Sequence, residues 1–362
     1  MEINGLNAAM IAREIGVSRE SVSKWLKGES FPRPNKLLKL SLLLDLSLAE
    51  ITTQNSSDHE PAIAFRKRGA SKTTEEHISR AKEMGHLLKP LVPYLPFDQF
   101  LRPATLKHPS ADYRYLQQVA ARIRQTIGLA PRENIDFRHL IKRFSEMQTV
   151  LIPVLWGKKG HHENALHIFL PDSMTTWVYL NLDVEIHDFK FWMAHELGHV
   201  LAPDLTGDAG EDFADSFAGV LLFPEAAAGG AYKDIMQHSK NKGAQVNRIK
   251  DIAEDNLISP LTVYMEINRY AEYHGLPKLE LEPGIFGAAK NLSKKYYSVS
   301  ESVFESEHPG VKEYIAFARE LESPFFESLA TYLREHDKSP GYVQSILDIP
   351  LMDAREIHSE LT

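Results

Sequence analysis

The chain has no cysteine, so it can contain neither a disulfide nor a thiolate metal site. Any metal must be held by histidine, aspartate or glutamate. Positive charge is also short. The formal net charge is −8, which excludes a protein that coats nucleic acid over its whole surface and leaves only local contacts. No long apolar run is present. Leu37–Leu48 is rich in leucine but too short and too interrupted to span a bilayer, and Met1–Ala9 lacks the basic start and apolar stretch of a secretion signal. These absences predict a cytoplasmic protein with no membrane partner. What remains is ordinary globular material: 362 residues, 43% hydrophobic and 25% charged. That is enough chain for two or three domains with a sizeable core.

The most informative segment is Phe191-Trp-Met-Ala-His-Glu-Leu-Gly-His-Val-Leu201. Residues four apart lie one above the other on a helix, so His195 and His199 can converge on one metal ion. Glu196 then sits beside the ion, placed to take a proton from a water molecule there. This is the zinc-peptidase pattern, with Gly198 leaving room for close packing. Two surface histidines on an amphipathic helix can produce the same five letters by chance, so a second cluster carries weight.

That cluster is Gly210-Glu-Asp-Phe-Ala-Asp-Ser-Phe-Ala-Gly-Val-Leu-Leu-Phe-Pro224. Glu211 and Asp215 share a helix face, backed by Phe213, Phe217, Ala218, Leu221 and Leu222. A site with two histidines needs a third protein ligand, and Glu211 is chosen for it. Asp215, one turn on, is placed to accept a hydrogen bond from the other nitrogen of a ligating histidine. Asp204, Asp208 and Asp212 compete. The first two sit in a turn-rich connection, and Asp212 points about 100° away from Glu211 around the helix.

Taken together, His195-Glu-Leu-Gly-His199, Glu211-x-x-Ala214-Asp215-x-Phe217-Ala218 and Leu221-Leu222-x-Pro224 resemble the ImmA/IrrE family of metallopeptidases. The resemblance covers roughly 110–275. Tyr113–Ile127 is similar to that family's leading helix, Val178–Leu182 to the strand before its metal helix, and Ile258–Arg269 to its later helix. It implies a zincin-like fold, Zn²⁺ on His195, His199 and Glu211, Glu196 as the catalytic residue, and a protein substrate of the helix-turn-helix repressor class.

The N-terminal segment carries the second signal. Ala8–Gly28 reads as helix, tight turn, helix. Ile11, Ala12 and Ile15 form an apolar face, Gly16 ends the first helix, Ser18 caps the second, and Val22 and Trp25 face the core. Its second helix would enter the major groove, presenting Arg19, Glu20, Ser21, Ser23, Lys24 and Lys27. Arg19, Lys24, Lys27, Arg33, Lys36 and Lys39 outnumber Glu20 and Glu29 there, which suits phosphate contacts. With Ser30–Leu44 this segment resembles an Xre/Cro-type repressor domain, and a homodimer on a paired half-site is expected. Only about seven residues precede the first helix, so a small protein-interaction module is the other reading.

The expected organisation is α+β and mainly helical. Residues 1–55 form the helix-turn-helix domain. Residues 56–110 form a linker with a basic run and a connector helix at Glu75–Leu88, ended by Pro90, Pro93 and Pro96. The metallopeptidase domain, 111–280, holds a helix at 111–128 and a small three-stranded sheet of Thr149–Leu155, Ala165–Leu170 and Trp177–Leu182. The last strand is the expected peptide-binding edge. His167, Tyr179 and Tyr264 are candidates for the cleft, with structural duty the commoner role for each. Residues 281–362 form a helical region, in which Val343–Ile357 loosely repeats the Ile11–Trp25 spacing and is read as helix packing.

The functional expectation is a zinc endopeptidase joined to a DNA-binding module, regulating transcription by cutting a regulatory protein. The alternative is a DNA-binding or antitoxin-like regulator whose metal domain senses or binds without proteolysis.

Overall fold

The computed structural model describes residues 7–26, 30–44, 60–65, 75–97, 100–101, 105–157, 164–304 and 309–362. Three N-terminal helices come first: α1 (Ala8–Ile15), α2 (Arg19–Leu26) and α3 (Pro34–Leu44). Each boundary has a local cause. The Asn7 side chain accepts from the amides of Ala9 and Met10 at 3.1 and 3.0 Å. Gly16 closes α1 in the left-handed region at φ 72°, which a Cβ disfavours. The Ser18 hydroxyl accepts from Ser21 N at 3.0 Å to start α2. Ala12, Ile15, Val22 and Leu37 are buried between the three helices.

The short strand β1 (Ser30–Phe31) pairs antiparallel with β3 (Phe100–Leu101), and Arg33 Nε donates to Phe97 O at 3.2 Å. These contacts tie the N-terminal helices to the segment that follows the connector helix α4 (Glu75–Leu88). The prolines after α4 do not leave an open chain. Lys89–Tyr94 continues as a 3₁₀ turn, a tighter helix in which Pro93 is tolerated.

The central sheet has four strands in the order β2-β5-β6-β4. They are β2 (Ala62–Phe65), β4 (Thr149–Val154), β5 (Ala165–Leu170) and β6 (Thr175–Asn181). β4 runs parallel to β6, whereas β5 is antiparallel to both β6 and β2. This corrects the three-stranded expectation: the extra strand comes from the segment read as linker. A run of four residues beside a basic stretch has no visible period. It is a strand only because β5 offers it an edge. The position of β6 is a second correction. It lies inside the sheet, with both edges paired, so it cannot accept a peptide.

Helices α5 (Tyr113–Thr126) and α6 (Phe137–Glu146) precede the sheet strands, and the site helices α7 (Ile186–Leu201) and α8 (Gly207–Leu222) follow them. Next come α9 (Glu225–Met236), α10 (Lys242–Asn256), α11 (Pro260–Tyr273) and α12 (Glu282–Ser293). The C-terminal set is α13 (Val299–Val303), α14 (Val311–Glu320), α15 (Phe325–Glu335), α16 (Pro340–Leu347) and α17 (Leu351–Leu361). The architecture is α+β and mainly helical, with a small mixed sheet. The C-terminal helices share the sheet's core. Tyr179 Oη donates to Ile346 O at 2.8 Å, Trp156 Nε1 to Leu347 O at 2.9 Å, and Tyr314 Oη to Pro153 O at 2.6 Å. Val343, Ile346, Leu347, Ala354 and Ile357 are all buried across the α16–α17 turn, so the repeated spacing there serves packing.

Candidate metal centre and helix-turn-helix module

The candidate metal centre is built on α7 and α8. The start of α7 is pinned from two sides. Leu182 N donates to Val154 O at 2.9 Å, Ile186 N to Tyr297 O at 3.1 Å and Val299 N to Val184 O at 3.0 Å. The helix then runs into the core, where His195 is 0% exposed, Glu196 1% and His199 4%. Close approach of α8 requires Gly198, because a Cβ there would fall 3.0 Å from Ala214 Cα and 3.2 Å from Phe217 Cδ1. The turn between the helices is equally tight: a Cβ on Gly210 would meet Leu205 O at 2.6 Å.

This packing delivers Glu211 to both histidines. His195 Nε2 stands 3.0 Å from His199 Nε2 and 3.5 Å from Glu211 Oε2, and His199 Nε2 stands 3.4 Å from Glu211 Oε1. Three atoms bound tetrahedrally at 2.0–2.1 Å to one ion lie about 3.3–3.4 Å apart, so the donor set fits a small divalent ion. His195, His199 and Glu211 therefore form a group able to hold a metal. His195 Nδ1 lies 2.9 Å from Asp215 Oδ1. An ionised carboxylate only accepts, so Nδ1 carries the hydrogen and Nε2 keeps its lone pair toward the site. Burial pushes the Glu211 carboxyl up. The neighbouring His195 and His199 outweigh that effect and hold it at about 2. The competing carboxylates Asp204, Asp208 and Asp212 are exposed and stand outside this group.

The three cleft candidates separate clearly. His167, on β5, faces the site: its ring centroid is 5.9 Å from that of His199. Its Nε2 is buried and has no hydrogen-bond partner among the described residues. Burial, with the neighbouring His199 and His195, lowers its pKa to about 3, so the ring is neutral. Tyr179 is committed to Ile346 O. Tyr264 Oη donates to Leu279 O at 2.7 Å and lies 2.6 Å from Glu282 Oε1, a structural duty in both cases. Among the cleft residues that the sequence reading missed are Ala62 and Ile63, which line a cavity of about 30 Å³ with His167, His199, Gly210 and Glu211. Their one available signal was the short apolar run Ala62–Phe65 after Pro61.

On α2, Arg19 and Glu20 are exposed, and Ser21, Ser23 and Lys24 are half-buried. Lys24 pairs with Glu20 at 3.0 Å, and the Ser21 hydroxyl lies 2.8 Å from that of Ser18. Lys27 lies outside the described residues. Two cations assigned to phosphate contact face inward instead. Lys36 Nζ donates to Ile15 O and Gly16 O at 2.8 and 3.2 Å, completing the α1 C-terminus. Arg33 reaches Phe97 O. An unsatisfied helix end attracts a nearby ammonium whatever the chain's function.

The helix-turn-helix family model matches residues 1–51, so the N-terminal segment is a helix-turn-helix module of the kind DNA-binding regulators carry. No curated protein and no solved structure matches the chain. Among the described residues, no helix is long and apolar enough to cross a membrane.

Proposed function

We propose that the chain is a zinc-dependent endopeptidase of the ImmA/IrrE type, coupled to a DNA-binding module, which regulates transcription by cutting a repressor or another regulatory protein. The observation that carries this reading is the joint placement of His195, His199 and Glu211 at metal-ligand spacing, with Glu196 buried beside them and Asp215 orienting His195. Two imidazoles and one carboxylate leave a zinc ion one charge in excess and one position open, the donor set of catalytic rather than structural sites. Bound there, the ion supplies a Lewis acid for water and the scissile carbonyl. Glu196 takes the proton from the attacking water and passes it to the departing amine. Ligation does not require a carboxylate at 196, so its presence favours turnover.

A second reading, a regulator whose metal domain senses without cutting, draws support from the small size of the cavity at the site. Co-expression of the chain, or of Glu196→Gln, with the products of neighbouring genes separates the two. Cleavage of one product by the parent chain and not by the variant is the expected result. A Glu196→Gln strain that still regulates normally overturns the peptidase reading.

A further inference from the structure

Strand β5 carries His167, whose ring centroid lies 5.9 Å from that of His199. One edge of β5 is taken by β6. The other is taken by β2, antiparallel, with Ala62 opposite Phe169, Ile63 opposite Ile168, Ala64 opposite His167 and Phe65 opposite Leu166. An extended peptide adds to a sheet through such an edge, using main-chain hydrogen bonds. In this chain that edge of β5 is filled by the chain's own residues, and β2 becomes the end strand of the sheet.

Three observations bear on what that strand does. First, Ala62 and Ile63 wall the site cavity together with His199 and Glu211, and the volume left is about 30 Å³. That is room for about one water molecule. A second strand needs about 4.8 Å of sheet width beside β5, so β2 and another peptide exclude each other. Second, β2 is held by contacts outside the site. Glu60 pairs with Lys82 on α4, and Pro61 lies over Gly85, where a Cβ would fall 2.6 Å from Pro61 Cβ. Third, the helix-turn-helix match ends at residue 51 and β2 begins at Ala62, so the strand follows the N-terminal module closely in sequence.

We propose that Ala62–Phe65 is an intramolecular strap, a peptide-like segment seated on the β5 edge of the metal site that bars other extended peptides from β5 until it is drawn out. The proposal rests on the peptidase reading for its consequence, because a strap over the cleft makes cleavage conditional on its release. The ligand class it defines is an extended, small and apolar peptide running antiparallel to β5.

The test uses the full chain carrying Glu196→Gln, so that bound peptide survives, and a labelled capped peptide with the sequence of residues 60–65, Glu-Pro-Ala-Ile-Ala-Phe. Neighbouring residues of an antiparallel strand alternate between bonded and non-bonded pairs. Ile63→Pro with Ala64→Pro therefore removes a ladder donor in either register. Gly85→Ala is the second variant: its Cβ falls 2.6 Å from Pro61 Cβ and forces Pro61 away from α4, while meeting the sheet only at the Ile168 Cγ2 methyl, at 3.2 Å.

A tethered strand competes at an effective concentration in the millimolar range, so each variant should bind the peptide at least tenfold more tightly than the strapped chain. Hydrogen exchange over residues 165–170 should accelerate in step, and added peptide should slow it again. Unchanged peptide affinity in both variants despite exposed β5 amides overturns the proposal. So does unchanged exchange at 165–170 in the double-proline variant. Peptide that binds the released chain yet is never cut by zinc-loaded chain with Glu196 intact supports the strap and removes the peptidase reading instead.

Discussion

The helix-turn-helix module and the metal domain put their working groups in opposite environments. On α2 the outward residues Arg19 and Glu20 are exposed, and among the described residues the buried apolar side chains of the three helices are Ala12, Ile15, Val22 and Leu37. Its boundaries rest on caps, Asn7, Gly16 and Ser18, each acting within a few residues. In the metal domain the working groups are themselves core. His195, Glu196 and His199 lie among Trp192, Met193, Phe213 and Phe217, all buried. The lesson is one of tolerance. A surface that binds by charge accepts local changes at modest cost. A buried polar site fails when its packing shifts, because an ionisable group without its partners is expensive away from water.

The largest effect should come from the chemistry itself. Glu196→Gln is expected to lower turnover about 10²–10⁴-fold, with metal content and circular dichroism unchanged. His195→Ala with His199→Ala should abolish retention of about one zinc ion per chain in elemental analysis, while the N-terminal module keeps its DNA affinity. Loss of both together would erase the contrast between the regions.

Next comes the ligand's support. Asp215→Asn should weaken zinc binding about 10–100-fold by freeing the His195 ring to turn. Asp212→Asn, one residue from the proposed ligand Glu211 but exposed, should leave it unchanged. Competition against a chelator measures both, and equal losses would break the assignment.

Packing sharpens the contrast further. Gly219→Ala on α8 would place a Cβ 2.3 Å from Glu266 Oε1, and overpacking of this kind costs about 1–3 kcal/mol. Gly16→Ala meets open space beyond Lys36 Nζ at 3.5 Å, so only its left-handed backbone opposes it, at about 1 kcal/mol. Urea unfolding of each variant orders the two.

Glu266 also makes stability depend on pH. Burial, partly offset by Arg269, raises its carboxyl from 4.5 to about 7. Between those values the folded chain holds a proton that the unfolded chain has released, so this contribution to stability is lost as pH rises from about 4.5 to about 7. Glu266→Gln should flatten the denaturation midpoint across that window. A slope that persists unchanged would assign it to other groups.

The smallest effects belong to the exposed face. Arg19→Ala should weaken DNA binding uniformly across sequences and reduce the salt slope by about one. Lys24→Glu, which sets a like charge four residues from Glu20, should weaken it more. Titrations at two salt concentrations test both. Binding that ignores salt would make the N-terminal module a protein-interaction unit.

What the sequence determined by itself was whatever helix geometry fixes within one or two turns. The spacing of His195 and His199, the shared face of Glu211 and Asp215, the glycine at 198 and the caps at Gly16 and Ser18 follow from a repeat of 3.6 residues and from the needs of helix ends. A local rule needs no partner to be read. The tertiary structure decided what depends on distant partners. It drew Ala62–Phe65 out of an apparent linker onto β5, placed β6 inside the sheet, turned Lys36 and Arg33 from phosphate toward backbone carbonyls, and gave Tyr179 to a C-terminal helix end while leaving His167 facing His199. Strand pairing, burial and the direction of a long cationic side chain are set by whichever groups the fold brings near. No period in the chain records those encounters.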